Sequence, residues 1–180
     1  MKIDRREALK LAAGAAFVRP VLSGEAAAAD LPAGRFFDGR EMALLDLVSE
    51  TILPADDHSP GARAAGVAAY VDAQLADKDP KIPDWAEERQ AARDALAALD
   101  ALSRELHGHG LLESSAEEVT AVLTRAAENE REPKTPEQKA FKWAKDRTAH
   151  AFYTSKTGIR QELEYKGNSI LVEFVGEVPK

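Results

Sequence analysis

Helix-start signals recur along this chain and cut it into segments that can form little but helix. Ser115 stands three residues before Glu118, the reciprocal pairing in which a capping hydroxyl and a third-position acid satisfy each other's backbone N–H. Thr135 and Gln138 repeat it with an amide. Pro60 follows Ser59 and Pro136 follows Thr135, so proline falls where the first helical turn needs no donor. Downstream, apolar residues recur at intervals of three and four, the period of one helix face.

Asp38 predicts a first helix running to Leu53, with Met42, Leu45, Val48, Ile52 and Leu53 at its apolar positions and Pro54 as its stop. Ser59-Pro60 opens a second, with Val67, Tyr70, Val71 and Leu75 on one face. A proline-bounded connector over residues 77–83 leads to Asp84, which caps a long alanine-rich helix carrying Trp85, Leu96, Leu99, Leu102 and Leu106. Gly108 and Gly110 end it. The fourth helix uses Val119, Val122, Leu123 and Ala126, and the charged residues 128–134 form a solvated loop. The fifth runs through Phe141, Ala144, Thr148, Ala151 and Phe152.

Only residues 169–178 favour β-branched and aromatic side chains, and one strand makes no sheet. The expectation is therefore a mainly α fold: a compact bundle of about five helices with an irregular or extended C-terminal arm, forming one domain over residues 30–180.

Composition narrows the function. Apolar residues make up 44 % of the chain, but many are alanine and aromatics supply only 6 %, which predicts a thin core of closely packed helices that leans on a partner for burial. A net charge of −7 without a basic stripe argues against nucleic acid. The absence of cysteine removes disulfides, zinc–thiolate sites, iron–sulfur ligation and covalent haem.

His107-Gly108-His109 has a spacing of two, whereas helical metal pairs stand three or four apart, so it reads as a frayed helix end. His58 and His150 are isolated. Asp56-Asp57-His58 lacks the alternating acids and central glycine of a calcium loop. Phosphate-cradling glycine loops, dinucleotide fingerprints and nucleophile elbows are absent. No catalytic, cofactor-binding or metal-ligating residue is assigned, and no cofactor is expected in this chain.

Residues 1–29 stand apart. Arg5 and Arg6 precede Leu9 and Lys10, a modest apolar stretch covers residues 11–18, and a run of alanines ends at Ala29. This resembles a bacterial twin-arginine signal peptide, with Ala8 where that class usually has a bulkier residue. The apolar stretch falls well short of the roughly 20 residues that span a bilayer. The expectation is recognition by the twin-arginine translocase, export in the folded state, cleavage after Ala29 and a periplasmic location, with any membrane association coming through a complex.

Two stretches carry a more specific resemblance. The first is Thr51-Ile52-Leu53-Pro54-Ala55-Asp56-Asp57, followed by Pro60-Gly61-Ala62, Ala65-Gly66-Val67 and Tyr70-Val71-Asp72. The second is Phe152-Tyr153-Thr154-Ser155 with Gly158, then Tyr165-Lys166-Gly167-Asn168. Together they resemble the gluconate 2-dehydrogenase subunit 3 family, across essentially the whole chain beyond the signal.

That resemblance implies a small, cofactor-free, non-catalytic subunit of a periplasmic sugar or polyol dehydrogenase. Its implied partner is a large FAD-bearing subunit of the glucose-methanol-choline type, often joined by a c-type cytochrome subunit carrying haem c. It nominates Pro54, Asp56, Asp57, Gly61, Tyr153, Thr154, Ser155, Gly158, Tyr165 and Asn168 as partner-contact residues. Turn chemistry explains the same residues equally well, with Pro54 ending a helix and Gly158 relaxing a tight bend. Two competing readings are a free-standing periplasmic helical binding protein with an acidic-loop ligand or cation site, and a small enzyme using Asp56, Asp57 and His58.

Overall fold

The structure, a computed structural model, describes residues 32–165 and 167. The export-signal residues Arg5, Arg6, Leu9 and Lys10, together with Asn168 and the β-biased residues 169–178, lie outside the described residues. The described chain is α1 (Gly39–Ile52), α2 (Gly61–Ala64), α3 (Val67–Ala76), α4 (Pro83–His107), α5 (Ala116–Ala126) and α6 (Pro136–Thr154). A 3₁₀ turn at Leu111–Glu113 and a π turn at Gly158–Glu162 complete it, and no strand occurs among the described residues.

The long helices α4 and α6 form the spine. They are antiparallel: Glu88 meets Arg147 at 2.6 Å, while Ala95 and Ala140 line one cleft further along. Buried alanines at 92, 95, 140, 144 and 151 let the two backbones approach closely. Larger side chains close the core, among them Phe37, Leu45, Leu75, Leu99, Val122 and Phe152. One buried polar contact crosses it, the Thr148 hydroxyl donating to Ser49 Oγ at 3.1 Å.

Caps follow the helix-start signals. Asp38 Oδ1 accepts from the Glu41 N–H at 2.7 Å while Glu41 Oε2 accepts from the Asp38 N–H at 3.0 Å, and Ser115 with Glu118 forms the same box. Gly108 closes α4 in the left-handed conformation, with φ +83°.

The structure corrects three expectations. The helix expected from Pro60 onward is broken, because Gly66 adopts φ +73° and ends α2 after one turn. Asp84 does not cap α4; Ile82 holds that position, Pro83 is the first helical residue, and Asp84 lies in the first turn, where its charge favours the dipole. Tyr70, Trp85 and Leu106, expected on inward faces, are about 40 % exposed or more. For α4 the reason is length: its buried positions run from Ala92 to Ser103, so Trp85 precedes the packed stretch and Leu106 follows it.

The segment before α1 is held by a buried side chain. Asp72, 4 % exposed on α3, accepts from the backbone N–H groups of Arg35, Phe36 and Phe37 at 2.7, 2.9 and 2.8 Å. A Cβ on Gly34 would lie 2.2 Å from that carboxylate, so only glycine allows the approach. The Phe36 ring lies against the Arg89 and Arg93 guanidiniums, 4.4 and 4.5 Å from its centroid.

Candidate functional site

Both stretches singled out in the sequence arrive at one end of the bundle. Glu41, at the start of α1, pairs with Arg93 near the middle of α4, whereas Ser49 reaches Thr148 toward the end of α6. Helix α1 therefore runs parallel to α6 and antiparallel to α4. Its C-terminal loop, residues 54–60, and the segment after α6 emerge on the side where α4 begins.

The first loop is held by its own side chains. Asp56 Oδ1 accepts from the N–H groups of His58 and Ser59 at 2.8 and 2.6 Å, and the Asp56 N–H donates to the Ser59 carbonyl at 2.8 Å. Those donors, His58 first and then Ser59, hold the Asp56 carboxyl below its usual range. Gly61 has φ +79°, and a Cβ there would sit 2.6 Å from the Ala55 nitrogen. Glu50 secures the exit by accepting from the Arg63 N–H at 2.7 Å. Pro54, Asp57 and His58 are exposed.

The second stretch is built around Ser155 and Gly158. Ser155 Oγ donates to the Phe152 carbonyl at 2.6 Å and accepts from the Gly158 N–H at 2.9 Å. A Cβ on Gly158 would lie 2.1 Å from the same carbonyl oxygen, so glycine is required by close approach. The Thr154 hydroxyl donates back to the His150 carbonyl at 2.7 Å. The π turn then carries the chain to the exposed Leu163 and Tyr165.

Between these stretches lie side chains that sequence patterning assigned to the core or passed over. The Tyr70 ring stands 6.3 Å from that of His150, and Tyr153 follows His150 by one turn. Because Glu88 is level with Arg147 in an antiparallel pair, Trp85 and Ile82 fall level with His150 and Tyr153. Lys156, Ile159, Arg160, Tyr165 and Gly167 surround an open hollow of about 650 Å³. Tyr70 lay inside the first motif, the one signal that set it apart; Ile82, Lys156 and Arg160 carried none.

Elsewhere the side chains with catalytic or ligating chemistry are scattered. No group of three or more His, Asp or Glu suited to a metal ion exists among the described residues. His107 and His109 both face Glu118, at 3.8 and 3.3 Å. That carboxylate already accepts from the Ser115 N–H, which holds its pKa below the usual range.

Fold and site thus define a small, mainly helical domain whose structured turns and exposed aromatic side chains collect at one end. Residues 39–169 match the model of the gluconate 2-dehydrogenase subunit 3 family, and the chain belongs to that family. The family is named for a subunit of a dehydrogenase, so this chain is related to components of such a complex. No curated protein and no solved structure matches it.

Proposed function

We propose that this chain is the non-catalytic small subunit of a periplasmic, flavin-dependent sugar or polyol dehydrogenase, and that it supports the export, folding and stability of the large catalytic subunit. The observation that carries the reading is family membership over residues 39–169. It is supported by the concentration of both turn motifs and exposed aromatics at one end of a lean helical bundle. FAD is assigned to a large subunit of the glucose-methanol-choline type, haem c to a cytochrome subunit, and neither to this chain.

Paired arginines before Leu9 and Lys10 support delivery of the folded pair by the twin-arginine translocase. In this scheme the large subunit needs no signal of its own, because the small one carries it across.

The test is co-expression with a flavoprotein encoded beside this chain, followed by purification through a tag on the small subunit. Flavin absorbance and dehydrogenase activity should co-elute, and omission of this chain should leave the flavoprotein cytoplasmic or aggregated. Replacing Arg5 and Arg6 by lysine should strand both proteins in the cytoplasm. A flavoprotein that folds, reaches the periplasm and turns over unaided would refute the accessory role.

A further inference from the structure

Seven large hydrophobic side chains are exposed among the described residues, and six of them lie at the loop-bearing end: Tyr70, Ile82, Trp85, Tyr153, Leu163 and Tyr165. Leu106, at the far end of α4, is the seventh. These six come from α3, the cap and first turn of α4, α6 and the segment after the π turn, so no single helix pattern accounts for their meeting. Tyrosine and tryptophan join a rigid apolar body to a polar tip, the chemistry of surfaces that must be wet when alone and buried when paired.

Charge indicates what covers this end. In an acidic chain most cations already have carboxylates: Arg147 pairs with Glu88, Lys145 with Glu130 and Lys142 with Asp146. Lys156 and Arg160 have no ion pair among the described residues, yet they stand one turn apart on the rim of the hollow beside Tyr165. Two cations on the rim of a hollow that no carboxylate lines, beside an apolar face, complement a surface carrying carboxylates. A second copy of this chain, docked symmetrically, would bring the same two cations to the same rim.

We propose that this end, centred on Tyr70, Trp85 and Tyr153, is the face that docks the large flavoprotein subunit, and that Lys156 and Arg160 receive carboxylates of that partner. The proposal rests on the reading of this chain as a small subunit and adds which surface performs the role. It extends the contact from the two turn motifs to the first turn of α4 and the outer side of α3.

The experiment uses the co-expressed pair and compares the double variants Trp85→Ser/Tyr153→Ser and Lys156→Glu/Arg160→Glu with the far-end control Leu106→Ser. Each double variant should lower co-purified flavoprotein about tenfold or more, while the free subunit melts within about 2 °C of wild type. Wild-type binding should weaken more steeply with added salt than binding by the charge-reversal variant, and the control should bind fully.

Undiminished binding by both double variants overturns the docking face but leaves the accessory role standing; a wild-type chain that captures no flavoprotein overturns both. Should a double variant fail to fold, hydrogen exchange on the wild-type complex decides. Protection at residues 67–76, 82–88 and 150–162 supports the proposal, and protection confined to residues 104–118 overturns it. Two results would replace the partner with another occupant and so refute it. One is self-association of the free subunit that the double variants abolish. The other is a rise in Trp85 quenching when residues 168–180 are removed, which would identify the chain's own tail as the cover.

Discussion

Replacing Asp72 by alanine should destabilise this domain more than any other single change to a charged residue. The carboxylate is 4 % exposed and takes three backbone N–H groups, two of them on the buried residues Phe36 and Phe37. A hydrogen bond to a charged group contributes about 1.5–3 kcal/mol net, and a buried donor left without a partner adds its own desolvation cost. The loss is smaller than three full bonds, because residues 34–37 can peel outward and hydrate. An expected cost of about 3–5 kcal/mol follows, a large share of the about 5–15 kcal/mol that holds such a domain together.

For a domain of this size that is a fall of roughly 10–15 °C in melting temperature by circular dichroism. Asp72→Asn should lie between. Its remaining carbonyl oxygen can serve Phe36 and Phe37, which share Oδ1, but its amide meets the Arg35 N–H donor to donor. Trypsin supplies a second readout, since release of the segment exposes the bonds after Arg35 and Arg40. A fall of less than about 3 °C for the alanine variant, with Arg35 still protected, would refute the reasoning.

Gly158→Ala should cost about 2–3 kcal/mol, because its Cβ must displace the Phe152 carbonyl that it would approach to 2.1 Å; an unchanged melting temperature would show that the turn yields freely. Asp56 and Asp57 should separate: Asp57→Lys leaves melting unchanged, whereas Asp56→Ala lowers it by removing the acceptor for His58 and Ser59. Since those donors depress the folded Asp56 pKa, its contribution is full above the unfolded carboxyl value and fades as pH falls through the lowered folded one; the gap between wild type and Asp56→Ala should therefore hold at neutral pH and shrink as pH is lowered below the ordinary carboxyl range, and a constant gap would contradict the assignment. Purified alone, the chain should show no flavin absorbance and no stoichiometric metal by elemental analysis, and a bound metal would bring His58, His107 and His109 back into consideration.

Local chemistry made most of the fold legible. The caps at Asp38 and Ser115 and the proline after Thr135 placed helix starts correctly because each answers the needs of backbone groups within four residues. What failed depended on distance. Pro60 promised a long helix, yet one left-handed glycine six residues on stopped it, and nothing in the sequence shows whether Gly66 will bend or continue. Trp85 and Leu106 keep the spacing of the α4 core face, but burial needs a partner helix alongside, and the packed stretch of α4 ends before it reaches either residue.

The loop-bearing end was legible in part, for the same reason. Asp56, Gly61, Ser155 and Gly158 stood out as punctuation, and the structure shows each making a turn that requires it. Such turns are explained by folding alone, so they argue for a surface only through what they position. Tyr70 and Trp85 carry the stronger implication. A chain with only 6 % aromatic residues would bury a tryptophan if stability were its sole use. Helix α4 instead extends about two turns past its first buried residue and carries Trp85 out to the level of His150. The short core and the exposed aromatics are then two sides of one arrangement, in which the apolar surface left outside the fold is the surface that the proposed docking would cover.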